Sequence, residues 1–226
     1  TGADGFVPGE GAGAVVLKRL DQAEADGDTI YAVILGSAVN HDGGTGGYTV
    51  PNPHAQAELI ATALRRAGVA PASLQYLEAH GTGTALGDPI ELRAVMTALG
   101  SSTPLRVGSV KPNIGHGEAA AGIAGLTKTI LQLHHRRFVP TLNARPANPA
   151  LGIDGSALQL QQVAELWPKP DHGPRLAGVS SFGAGGANAH IVLGEHLIPN
   201  TSGGDDVPAA GRRSLVTIPL SAPDPQ

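Results

Sequence analysis

The sequence predicts an α/β protein, a sheet that carries helices on its faces. Three observations predict it. Apolar, β-branched runs such as "IYAVILGSAV" (30–39) alternate with helix-length segments. A capping residue followed by proline, a helix-start signal, occurs twice, at Asn52-Pro53 and at Asp88-Pro89. Two strand-like runs then close the pattern, which favours helices packed on a sheet.

In chain order, "GFVPGEGAG" is turn-rich and leads into a strand expected at 13–18, "GAVVLK". A short helix is expected in "DQAEADG", then a buried strand at 30–39. "NHDGGTGGYTVPNP" reads as a loop. The helix from Pro53 should run to about Ala67, with Leu59, Ile60, Ala63 and Leu64 on one face, and stop at Gly68. "LQYLEAH" (74–80) is the next strand. Asp88 and Pro89 start a helix that should reach about Leu99, and "PLRVGSV" follows as a strand. Residues 117–135 read as one helix whose first half, "GEAAAGIAG", is nearly all small and can pack close to a neighbour. A proline-punctuated loop comes next, then "ALQLQ" as an edge strand. "LAGVSSFG" and "NAHIVLG" form two strands joined through "GAGGA", a hairpin-like connection. Beyond Glu195 the chain turns polar and reads as linker, with a short strand-like "LVTIPLSA" near its end.

Composition narrows the function. Aromatics are 3% against 41% hydrophobic residues, so the core is packed mainly by aliphatic side chains and alanine. A net charge of -4 without a basic stripe argues against nucleic acid. The apolar stretches are too short and glycine-broken to span a membrane. With no cysteine, neither a disulfide nor a thiolate metal site is possible in this chain. The first residue is Thr1 and the single methionine is Met96, which reads as a chain that does not start where translation does.

Two loops carry the chemistry. His80 ends a strand and enters "HGTGT", where Gly81 and Gly83 let backbone approach a ligand and Thr82 and Thr84 offer hydroxyls. His116 follows "SVKPNIG" and precedes a helix, whose N-terminal field favours a neutral imidazole. Lys111 shares that loop and could hold a carboxylate. Each loop also has a bland reading, a solvated turn or a cap with a surface lysine. Metal binding fits poorly, since His134 and His135 face different sides of a helix and no acidic or histidine set has ligand spacing. "FGAGGANAH" lacks the strand–GxGxxG–helix context of a dinucleotide site.

Four stretches occur in the order found in β-ketoacyl synthases: "DGFVPGEGAGAVVLKRL", "EAHGTGTALGDPIEL", "GSVKPNIGHGEAAAGIAGLTK" and "SSFGAGGANAHIVL". Over residues 1–196 the chain resembles the C-terminal half of a ketosynthase domain of a modular polyketide synthase. "GYTVPNP", "AGLTKTILQLHHRRFVPTLNA" and "SSFGAGGANAH" are most similar to synthases served by a separate acyltransferase. Residues 197–226 resemble a linker and the start of the region after such a domain.

The resemblance implies a thiolase-like fold, of which this chain is the second half of a five-layered α-β-α-β-α sandwich. It implies a nucleophilic cysteine on a preceding N-terminal half. It also implies a decarboxylative Claisen condensation between an acyl thioester and a malonyl-type extender. His80 and His116 match the family's histidines and would face the extender thioester oxygen. Lys111 matches the family's lysine, with Glu91 as candidate partner. Thr82 and Thr84 match residues that grip a phosphopantetheine arm, the only cofactor-like group implied. Phe182 matches an aromatic gate beside the cysteine, and Asn188 follows it. Ala187 stands where many relatives have threonine. Implied partners are an acyl carrier protein, the N-terminal half and a second copy in a homodimer, in the cytoplasm. Two other readings stay open here: a non-catalytic remnant that binds carrier protein or scaffolds a dimer, and a thiolase-like enzyme using coenzyme A.

Overall fold

The computed structural model describes residues 4–45, 47, 50–100 and 104–197. Five helices are described: α1 (Leu20–Ala25), α2 (Pro53–Ala67), α3 (Gly87–Leu99), α4 (Lys111–Ile114) and α5 (Ala121–His135). The strands are β1 (Val33–His41), β2 (Tyr76–Glu78), β3 (Leu105–Gly108), β4 (Arg137–Phe138), β5 (Leu158–Leu160), β6 (Glu165–Leu166), β7 (Leu176–Phe182) and β8 (Ala187–Gly194). Six form one mixed sheet in the order β1-β8-β7-β2-β3-β5, and β4 pairs with β6. β7, β2, β3 and β5 run parallel, while β8 is antiparallel to both β7 and β1.

Alternation along β2 shows how the sheet is covered on both faces. Leu77 points into a core with Leu59, Ile60 and Val95 of α2 and α3. Tyr76 points the other way, into a core with Leu133 of α5, Phe138 and Trp167. α2 forms as its caps dictate. The Asn52 side chain accepts from the backbone N–H groups of His54 and Ala55, Pro53 opens the helix, and Gly68 ends it in the left-handed region. The "GAGGA" hairpin is also present, with Phe182 opposite Asn188 across β7 and β8.

Three expectations are corrected. Residues 13–18 are not a strand; no described strand pairs with them, and Val16 is 99% and Leu17 70% exposed. The run 117–135 is not one helix. Residues 118–120 form a 3-10 turn, and α5 starts at Ala121 because Glu118 has φ +48. Asp88 does not cap α3 from outside. It lies within the helix, and its carboxylate accepts from Gly83 N–H in the preceding loop. The expected linker, apart from Leu197, lies outside the described residues. No helix among the described residues is long and apolar enough to cross a membrane.

Candidate active site

Parallel strands deliver their C-terminal ends to one edge of the sheet, and this chain loads three adjacent ends. β2 leads to His80, β3 to Lys111 and His116, and β7 ends at Phe182. The rings converge. His80 and His116 stand edge to face with centroids 5.3 Å apart, and Phe182 stands against His80 at 5.6 Å.

Backbone bonds set this spacing. A strap of residues 5–9 crosses both loops: Gly5 N–H donates to Gly83 O, His116 N–H to Val7 O, and Gly9 N–H to His116 O. Phe6 packs on the His116 ring at 4.7 Å. In sequence this stretch is a turn-rich lead-in and the start of the first family-like motif. Nothing in its composition marks it as the piece that ties the two histidine loops together.

Each loop is anchored by a buried carboxylate. Glu91 on α3 accepts from His80 N–H at 2.7 Å and Gly81 N–H at 2.9 Å. Burial pushes its carboxyl up to about 7, against the pull of these two donors. Its bonds therefore go to the His80 loop. The expected Glu91–Lys111 pairing is corrected to a longer-range attraction, since no ion pair within 4.0 Å involves Lys111 among the described residues.

The electrostatics favour neutral imidazoles. His80 is depressed to about 3, by burial first and then by the charges of Lys111 and His116. His116 is lowered by burial and Lys111, with Glu118 opposing. Its Nδ1 accepts from Glu118 N–H at 3.0 Å, which leaves Nε2 as the N–H donor. A neighbouring ammonium therefore adds to burial in lowering both rings. Lys111 is itself lowered by burial, while Glu91, Glu78 and Asp88 raise it.

The other expected residues are used differently. Thr84 Oγ1 accepts from Gly87 N–H at the start of α3 and lies 3.1 Å from Thr82 Oγ1. Asn188 is buried, and its amide donates to Asp42 at 2.7 Å and Asn40 at 3.2 Å, which ties β8 to β1. No hydrogen bond joins it to either histidine among the described residues. Among the described residues, no group of three or more His, Asp or Glu has metal-binding geometry.

Solved structures that share this architecture include thiolase-like α/β ketosynthase domains. The oxazolomycin ketosynthase domain OzmH KS7 of Streptomyces albus is 50% identical with a TM-score of 0.85, over 89% of this chain and 36% of that one. The module 6 ketosynthase of the Bacillus subtilis bacillaene synthase is 48% identical with a TM-score of 0.84, over 87% and 36%. The model of the β-ketoacyl synthase C-terminal domain matches residues 31–145, and that of the N-terminal domain matches residues 1–23. The chain belongs to the β-ketoacyl synthase family. It is 52% identical to polyketide synthase ThaG of Burkholderia thailandensis, over 92% of this chain and 4% of that protein. It is 50% identical to polyketide synthase PksL of Bacillus subtilis, over 97% and 5%. The chain therefore spans a small part of the curated relatives it matches.

Proposed function

We propose that this chain supplies the extender-activating half of a polyketide ketosynthase. The observation that carries the reading is the edge-to-face pair of neutral imidazoles, His80 and His116, beside the buried Lys111. Membership of the β-ketoacyl synthase family supports it.

In this reading a cysteine thiolate outside this chain takes an acyl group from a carrier-protein thioester, releasing the carrier thiol. A malonyl-type extender on a second carrier then loses CO2. The electron pair of the broken C–C bond moves into an enolate, whose oxygen gathers the negative charge. His116, whose tautomer places the N–H at Nε2, and His80 donate hydrogen bonds to that oxygen. Each such donor contributes about 3–4 kcal/mol where the charge develops. The enolate carbon attacks the acyl-cysteine carbonyl; a C–C bond forms, the C–S bond breaks, and the thiolate returns. Burial, reinforced by the Lys111 charge, keeps both histidines neutral, and Lys111 attracts the extender carboxylate before it leaves.

Thr82 and Thr84 stand on the same loop and would meet the phosphopantetheine arm, with Phe182 shaping the acyl side. The partners follow: acyl carrier protein, a cysteine-bearing N-terminal half and a second copy of the domain, in the cytoplasm. Supply of extender by a separate acyltransferase rests on the likeness of "GYTVPNP", "AGLTKTILQLHHRRFVPTLNA" and "SSFGAGGANAH" to synthases of that kind. The test is His80→Ala in a protein that joins this segment to such an N-terminal half. Acyl loading should persist while condensation falls by about 10²–10³-fold. Normal condensation by that variant would end the proposal.

A further inference from the structure

Beside the site lies a charged cluster that the mechanism above does not use. Glu78 on β2 is 1% exposed. Its Oε2 accepts from Lys128 Nζ and from Tyr76 OH, both at 2.7 Å, and Lys128 also donates to Tyr76 OH at 2.9 Å. Its other oxygen, Oε1, accepts from Val110 N–H at 2.6 Å. Val110 immediately precedes Lys111, in the turn that runs on to His116.

The surroundings leave this cluster little freedom. A Cβ on Gly125 of α5 would come within 3.1 Å of Glu78 Cγ. A Cβ on Gly108 of β3 would come within 2.5 Å of Tyr76 OH and 2.9 Å of Thr141 Oγ1. Thr141 Oγ1 in turn accepts from Ser109 N–H, so two successive amides of the turn, at 109 and 110, end on side chains of this region. A buried ion pair stabilises weakly compared with an apolar pair of the same volume, so stability alone is a poor reason for the cluster. Among the described residues, the one hydrogen bond of the Glu78 carboxylate to a group outside the cluster is from the amide beside Lys111.

We propose that Glu78, clamped by Lys128 and Tyr76, is a positioning residue that fixes the Lys111–His116 turn through Val110 N–H. This deepens the ketosynthase reading and rests on it. The same carboxylate also acts through space. The charged groups around Lys111 are Glu91 and Asp88 on α3, Glu78 on β2, Lys128 on α5, and the two imidazoles when protonated. Glu78, Glu91 and Asp88 favour the ammonium form, and Lys128 opposes it. Removing the Glu78 charge therefore lowers the pH at which Lys111 loses its proton.

The test compares wild type, Glu78→Gln and the charge-balanced Glu78→Gln/Lys128→Met in the intact domain with its N-terminal half. The double variant covers the case in which an unpaired Lys128 prevents folding. Two readouts are taken: condensation against acyl loading over pH, and amide hydrogen exchange of peptides covering 109–116. The expected result is condensation slowed at least about 10-fold with loading within about twofold, since a misplaced group costs turnover rather than nucleophile chemistry. In Glu78→Gln the alkaline limb moves to lower pH. Exchange across 109–116 accelerates in both variants. Condensation within twofold of wild type, or unchanged exchange in that segment, overturns the proposal. A wild-type domain that never condenses would sink the ketosynthase reading instead, and the exchange result would still decide the role of Glu78.

Discussion

His116 accepts the backbone N–H of Glu118 at its Nδ1, 3.0 Å away, so one ring nitrogen is committed as acceptor and the other as donor. Neutral imidazole carries a single N–H, and this bond decides where it sits. The expected outcome is that His116→Ala slows condensation by about 10²–10³-fold, the usual cost of losing one oxyanion donor. His116→Gln, which keeps an N–H donor, should lose less. Single-turnover assays with a carrier-bound extender check this, and equal losses in the two variants would count against the donor role.

Glu91 holds the other loop with two oxygens on two successive amides. In Glu91→Gln one oxygen becomes an NH2 that faces an N–H. Leaving such a buried donor unpaired costs about 1–3 kcal/mol. Amide exchange over residues 79–84 should accelerate while residues 109–116 stay protected. Acceleration in both segments alike would show that Glu91 supports the whole edge rather than the His80 loop.

His190 offers a clean linkage experiment away from the site. It is fully buried, bonded to Ser180, and burial alone lowers it from 6.5 to about 4. Between those values the unfolded chain binds the proton and the folded one does not. Its contribution is therefore present above pH 6.5 and is lost as pH falls towards 4. Thermal melts of wild type should lose ground relative to His190→Asn across that window. Parallel curves for the two proteins would contradict the burial argument.

Gly36 on β1 packs against the backbone of α2. A Cβ there would meet Ala67 N at 2.6 Å and Ala63 O at 2.8 Å. Backbone atoms of a packed helix cannot step aside as a side-chain tip can. Gly36→Ala should therefore destabilise by about 1–3 kcal/mol, the usual cost of overpacking. Urea unfolding checks this, and a midpoint at or above wild type would refute it.

The legible parts of this protein are those governed by local chemistry. Asn52, Pro53 and Gly68 bracket α2 because capping acts within a few residues. The "GAGGA" turn closes β7 on β8 for the same reason. The meeting of His80 and His116 was readable only through the motif resemblance, since neither loop alone points to the other. Features set by distant partners escaped. The 13–18 stretch has the composition of a strand, yet pairing needs a neighbour, and none is described. Glu91 is the candidate partner of Lys111 under the motif resemblance, whereas its bonds run to two backbone amides, which carry no sequence signature. The Glu78–Lys128 pair spans 50 residues, so no periodicity could join them.

The strap of residues 5–9 has a consequence for how the site can vary. It grips Gly83 and His116 through peptide groups, and the side chains of the strap take no part in those bonds. The gauge between the two imidazoles is thus written in main chain. Exchanging side chains at positions such as Val7 should leave that gauge untouched, while proline at Gly5 or Gly9, which erases a donor, should unhook one loop from the other.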